Sequence, residues 1–293
     1  RAPLTIRNYR TTIGNHIAPR LGHVRLGELK AEHVRQWQRA LIADGASPTT
    51  ANGARLVLHA AMSDAVRDEL VARNVVSLVR PLKVERRRRL PITADESMRL
   101  LDAVKGNRFA PFITTAIGLG LRFGELRGLV WGDIDGDVLH VSRQIPTQGP
   151  IELRPLKTGA SGRRSLPMPE FVAAALARER TLQLEDRLRA GRAWLPMDDD
   201  LVFRSPHGRP IHPPEARKAL KEIMAEAGLP SIHFHDLRHS TATLLLTLGV
   251  DMRTVQAILG HTSMNVTEQY AHVMPELTRD AMARLDGLLR RDA

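Results

Sequence analysis

The chain has 293 residues, 43% of them hydrophobic, which is enough apolar material for one large domain or two ordinary ones and argues against disorder over most of its length. It contains no cysteine, which excludes a disulfide framework and thiolate chemistry, and no run approaches the roughly 20 apolar residues of a membrane helix, so a cytoplasmic protein with no membrane partner is expected. The net charge of +11 points to a polyanionic partner and is unevenly spread: +6 over residues 1–82, +4 over 83–92 and +1 over 93–293.

The opening RAPLTIRNYR is neither a signal peptide nor a lipidation site. It has no initiator methionine and reads as the flank of a helix, so a truncated N-terminus, with a further module before Arg1, is expected. Within 1–82 the apolar residues Leu29, Val34, Trp37, Leu41 and Ile42 recur at near-helical spacing up to Gly45, a C-cap candidate. Ser47 as N-cap and Pro48 at the first helical position then begin a second helix, which predicts an antiparallel pair. KVERRRRLP, with four consecutive arginines and a proline, reads as an extended basic linker lying against phosphate; a solvated charge run is the alternative.

Thr93 and Glu96 form a capping-box pattern ahead of Met98, Leu100, Leu101 and Val104, so a second domain opens there. Alternating apolar residues predict three short strands, in DVLHVSR, IELRPLK and RRSLPMP. Beyond Pro169 helical patterns return, broken by surface loops at MDDD and SPHGRPIHPP. The fold class is therefore mainly α with a small antiparallel β-sheet, in two domains, 1–82 and 93–293, joined by the linker 83–92.

Candidate chemistry lies in the second domain. IHFHDLRHSTATLLLTLGV reads as a core helix, with Leu244, Leu245, Leu246 and Leu248 in its apolar run, ending at Gly249 and crowding His235, Asp236, Arg238 and His239 into its first turn. Backbone N–H groups at a helix start favour an anion, and an arginine fork can grip two phosphate oxygens there; ordinary capping and surface charge is the bland alternative. His235 and His239 also have the i, i+4 spacing of zinc helices, but Asp236 stands where that motif has its glutamate and Arg238 would set a cation beside the metal, so no metal is expected. In TTAIGLGLRFGELRGLVWGDID, Arg122 follows a Gly-x-Gly turn and Glu125 lies one helical turn on. Taken alone this is a structural ion pair. Lys157 is placed at the tip of a β-hairpin, where an ammonium is either solvated or free to deliver a proton.

Together, GLGLRFGELRGLVWGDID, LKTGASGRRSLPMP, FHDLRHSTATLLLTLGVDMRTVQAILGH and HTSMNVTEQYAHV resemble, in order and spacing, the motifs of the tyrosine recombinases, the phage integrase family. The front segment similarly resembles that family's helical core-binding domain. The resemblance implies Tyr270 as nucleophile, Arg122 and Arg238 as phosphate clamps, Lys157 as general acid, and His235 and His261 as the histidine pair around the phosphate. Glu125 is expected to orient its surroundings rather than react. It further implies site-specific cleavage and rejoining of double-stranded DNA through a 3′-phosphotyrosine and a Holliday junction, with no cofactor. A homotetramer on two duplexes is implied as well, with accessory DNA-bending or excisionase proteins as further partners; the apolar stripe Leu277, Ala281, Leu285, Leu288 and Leu289 of the tail is expected to pack in trans on a neighbouring subunit, with docking on its own domain as the alternative. Rival readings are a topoisomerase-like enzyme with the same tyrosine chemistry, a DNA-binding regulator that does not cut, and a zinc hydrolase on His235 and His239.

Overall fold

The computed structural model describes residues 3–84, 91–156, 159–195 and 199–260. The chain divides into two compact units, 1–88 and 89–293. The arginine run of the linker, the first part of the MDDD loop, Lys157, His261, Tyr270 and the tail stripe lie outside the described residues.

In the first unit, α1 (Pro3–Thr12) passes through a π-helical turn, Ile13–Ile17, into α2 (Ala18–Leu21). Next come α3 (Ala31–Ala43) and α4 (Pro48–Arg67). Val34, Trp37 and Leu41 of α3 pack with Ala54, Leu58 and Met62 of α4, and the Trp37 indole N–H donates to the carbonyl of His16 at 2.7 Å. Gly45 ends α3 at φ 88°, a backbone geometry that only glycine adopts readily, and the Ser47 hydroxyl accepts from the Thr50 N–H at 3.1 Å. Two apolar positions fall elsewhere than expected. Leu29 is buried just ahead of α3 and not within it, and Ile42 lies on its exposed side.

The second unit starts with α5 (Ala94–Ala103), closed by the expected capping box: Thr93 N–H donates to Glu96 Oε2 at 2.8 Å, and Glu96 N–H donates to Thr93 Oγ1 at 3.2 Å. Leu100 and Val104 face the core whereas Met98 is exposed. Then follow α6 (Ala110–Leu119), buried nearly all round, and the short α7 (Phe123–Arg127). Five strands come next, β1 (Ile134–Asp135), β2 (Val138–Val141), β3 (Arg143–Gln144), β4 (Arg154–Pro155) and β5 (Arg164–Pro167). Among the described residues, α8 (Glu170–Ala190), α9 (Pro213–Glu226), α10 (Phe234–Thr247) and α11 (Met252–Leu259) follow. Among the described residues, no helix is long and apolar enough to cross a membrane.

The protein is mainly α with small antiparallel sheets, but the strands are not arranged as one sheet. Among the described residues, β2 pairs with both β1 and β5, while β4 pairs with β3 alone. IELRPLK thus supplies a two-residue strand, because Pro155 has no N–H with which to extend the ladder. The segment between β4 and β5 reads from the sequence as a hairpin turn. It instead connects two separate ladders, since β4 and β5 pair with successive parts of the 138–144 run and not with each other.

Two features of the core position the site. Phe112, Phe123, Phe203 and Phe234 form an edge-to-face cluster with centroids 5.0–5.4 Å apart, and Phe123 and Phe234 are the first residues of α7 and α10. The two helix starts that carry Arg122 and His235 are thereby pinned together. α10 buries Leu237, Arg238, Thr241, Ala242 and Leu246, so its leucine run is less internal than its composition suggests: Leu244 and Leu245 are half-buried and Leu248 is exposed.

Candidate active site

The last turn of α11 is the focus of the site. The final carbonyls of any α-helix lack intrahelical partners and carry the negative end of its dipole. Here three consecutive ones are taken by three arginines from three different elements. Arg164 of β5 donates through Nε to the carbonyl of Ile258 at 2.7 Å, Arg238 of α10 through Nη2 to that of Leu259, and Arg122, the N-cap of α7, through Nη2 to that of Gly260 at 2.8 Å. Gly260 closes the helix at φ 64°, directly before His261.

Arg122 and Arg238 thus meet at neighbouring carbonyls of this helix end. Arg238 is buried, with Nη1 donating to the carbonyl of Gly120 at 2.7 Å. Gly120 is the left-handed cap of α6 (φ 59°), and a Cβ there would lie 2.5 Å from Leu259 Cδ2, so the turn leading to Arg122 admits only glycine without rearrangement. Thr241 reinforces this junction, its hydroxyl donating to Ile117 at 2.7 Å. Arg122 is partly exposed; its Nη1 donates to Glu125 Oε1 at 2.8 Å and its backbone N–H to Glu125 Oε2 at 2.9 Å.

Glu125 is almost fully buried and is shared between two cations, because Arg164 Nη2 also lies 2.8 Å from Oε2. Burial alone would raise its carboxyl, but the hydrogen bond and charge of Arg164, with the backbone N–H and charge of Arg122, outweigh it and hold the group below the usual carboxylate range. The cluster therefore keeps an ionised carboxylate at neutral pH with more cationic than anionic charge around it, which suits an incoming anion.

His235 projects from the first turn of α10 at an exposed position. Desolvation on its protein side, then the charges of Arg238 and Arg122, push its pKa below the ordinary histidine value, offset in part by Asp236. His239, one turn on, is lowered in the same way, by burial first and then by His235, and the two rings meet edge to face with centroids 4.7 Å apart. Among the described residues, no group of three His, Asp or Glu side chains is placed to hold a metal. Lys157, His261 and Tyr270 lie outside the described residues, and of their neighbours the structure describes Leu156, the turn Gly159–Gly162 and Gly260.

Arg164 is the residue that sequence reasoning missed. It sits two positions before the buried Leu166 in β5, hence on the same inward face of the strand. A charged side chain at such a position demands a buried partner, and that was the available signal.

The class of fold is settled by solved structures. The chain superimposes on the Tn1549 transposon integrase in complex with a circular intermediate DNA with a TM-score of 0.81 at 23% identity, covering 97% of this chain and 94% of that one. A lambda integrase tetramer bound to a Holliday junction matches with a TM-score of 0.70 at 20% identity, over 92% of this chain and 72% of that one. At the level of sequence, the profile of the Phage integrase family matches residues 90–276, and that of the Phage integrase N-terminal SAM-like domain matches 2–42. The tyrosine recombinase XerC of Rhodospirillum centenum is 30% identical over 93% of this chain and 78% of its own length; a XerC-like tyrosine recombinase of Caldanaerobacter subterraneus subsp. tengcongensis is 29% identical over 98% and 79%. The chain belongs to the phage integrase family and is a tyrosine-type site-specific recombinase, an enzyme that cleaves and rejoins DNA by transesterification.

Proposed function

We propose that this chain exchanges DNA strands at core sites of a mobile element, with Tyr270 as nucleophile, Arg122 and Arg238 as phosphate clamps, Lys157 as general acid, and His235 and His261 flanking the phosphate. The observation that carries the reading is the meeting of Arg122 and Arg238, from two helix starts, at consecutive carbonyls just before His261. A phosphodiester repels nucleophiles, and guanidiniums held in place beforehand stabilise the charge that grows on its non-bridging oxygens during attack.

In the proposed step Tyr270 Oη bonds to phosphorus as the bond to the 5′-oxygen breaks. A phenol with an ordinary pKa of about 10 needs help to attack at neutral pH. His235, held neutral by its surroundings, accepts that proton, while the nearby cations favour the phenolate. Lys157 protonates the departing 5′-oxygen, and His261 donates to a non-bridging oxygen. The product is a 3′-phosphotyrosyl diester and a free 5′-hydroxyl. Because the linkage is still a diester, a 5′-hydroxyl from a second duplex reverses the step and exchanges the strands, with no cofactor, through a Holliday junction.

The working assembly in this reading is a homotetramer on two double-stranded DNA core sites in the cytoplasm. The basic segments 1–82 and 83–92 embrace the duplex, the tail stripe from Leu277 to Leu289 packs on a neighbouring subunit, and DNA-bending or excisionase proteins set direction. The solved relatives bound to DNA and to a Holliday junction support it by analogy. The test is strand exchange between two labelled duplexes whose core site has been selected by the protein from a randomised library. Recombinant joints are expected; relaxation of supercoiled DNA without joints would favour a topoisomerase-like enzyme.

A further inference from the structure

Among the described residues Arg164 holds three side-chain partners around the site where Arg122 holds two, and the proposed chemistry gives it no task. Its side chain is 7% exposed. Besides the carbonyl of Ile258 and the Glu125 carboxylate, it donates through Nη1 to the carbonyl of Gly162 at 3.2 Å, in the turn that leads from Lys157 back into β5. Arg122 has two anchors, Glu125 Oε1 for Nη1 and the carbonyl of Gly260 for Nη2. Arg164 holds both: it grips Glu125 directly, and it grips α11 two residues before Gly260.

We infer that Arg164 is a positioning residue for strand cleavage, which aims the Arg122 fork at the scissile phosphate by fixing Glu125 and the last turn of α11. The inference rests on the recombinase reading above. Its physical basis is that an arginine side chain has many rotamers, and a clamp stabilises a transition state only if it does not have to be reorganised when charge develops. Among the described residues, no other charged group is placed to replace Arg164. The described charges facing Glu125 are Arg122 from its own turn and Arg164 from β5; α6 brings no titratable side chain, Arg143 of β3 is turned to Asp133 at 3.1 Å, and His235 of α10 is pushed below the ordinary histidine value. With Arg164 removed, the burial of Glu125 is opposed by Arg122 alone. The carboxyl then titrates upward, and only its ionised form holds Arg122 in a charge-assisted pair.

The experiment is single-turnover cleavage of a nicked core-site duplex across a pH series by the parent, Arg164→Gln, Arg164→Lys, Glu125→Gln and the double variant R164Q/E125Q. R164Q is expected to cleave about 10²-fold more slowly at neutral pH, the scale of loss for a misplaced catalytic group, with site binding unchanged, and to recover as pH rises. In the E125Q background the same change should cost little, because Arg164 acts through Glu125. R164K, which keeps the charge beside Glu125, should restore most of the rate and the parental pH profile. A loss by one constant factor at every pH and in both backgrounds, or no loss, overturns the inference. If R164Q does not fold, R164K decides: a loss as large as that of E125Q overturns it. If the parent itself forms no Tyr270-linked adduct, the recombinase reading fails, and carbon NMR titration of the Glu125 carboxyl then judges Arg164 alone. An upward displacement in R164Q supports the ionic linkage, and unchanged titration refutes it.

Discussion

Away from the active site, α8 carries a buried polar stripe whose titration can be worked through. Glu179, completely buried, shares the Arg108 guanidinium with Asp186: Arg108 Nη1 lies 2.8 Å from Glu179 Oε2 and Nη2 lies 3.1 Å from Asp186 Oδ2. Burial raises the Glu179 carboxyl most, the Arg108 hydrogen bonds and charge lower it, Asp186 raises it again, and the balance is a carboxyl pushed up to about 7 from the ordinary 4.5. Between those values the folded protein holds a proton that the unfolded chain has released. The stabilisation is complete below pH 4.5 and is lost as pH rises towards 7. The slope reaches about 1.4 kcal/mol per pH unit, or about 3 kcal/mol over the window. Glu179→Gln removes the titration. Urea unfolding of parent and E179Q at several pH values, with hydrogen exchange in α8 reporting on this unit, should show the parent losing about 3 kcal/mol relative to the variant between pH 4.5 and 7. Taking the difference cancels His235 and His239, whose lowered pKa values act with the opposite sign. Parallel profiles for the two proteins would refute the reasoning and mean that the Arg108 pairing keeps Glu179 ionised throughout.

Gly120→Ala should destabilise the second unit by about 1–2 kcal/mol for its left-handed backbone and by about 1–3 kcal/mol more for the clash with Leu259. Gly132→Ala, in open space, is the control, and thermal melts compare the two. Arg238→Lys, which cannot hold the carbonyls of both Gly120 and Leu259 in one fork, should slow single-turnover cleavage by about 10²–10³ with site binding little changed, as measured by rapid quench. Since burial and the two arginines depress His235, the acid limb of the cleavage rate should lie below the ordinary histidine value, and Asp236→Asn should move it lower still. A limb that stays in place or moves upward in D236N would remove His235 as the base.

The sequence made the helical elements legible wherever local chemistry is decisive. Ser47 and Pro48, the Thr93–Glu96 box and Gly45 mark boundaries through capping and backbone geometry, which depend on neighbours in the chain. The misjudged positions are those set by tertiary contacts. Met98, Ile42 and Leu248 are apolar at helical spacing yet lie outside the buried faces, because spacing locates a stripe only to within about one residue of its edge. The strand in IELRPLK was found, but its partner was not, since pairing depends on a register that alternation alone does not encode. For the site, Arg122, His235 and Arg238 could be named from their motifs. Their convergence on the end of α11, the edge-to-face contact of Phe123 with Phe234 and the role of Arg164 all join residues far apart in the chain, and only the fold reveals them.

The central claim is that Tyr270 takes the phosphate, and the most direct measurement is covalent trapping on a nicked, labelled core-site duplex in EDTA. The account predicts a denaturation-resistant protein–DNA adduct whose phosphorylated peptide contains Tyr270 and which is absent from Tyr270→Phe. Tight binding of the site with no adduct from the parent, or an adduct that persists in Y270F, would contradict it.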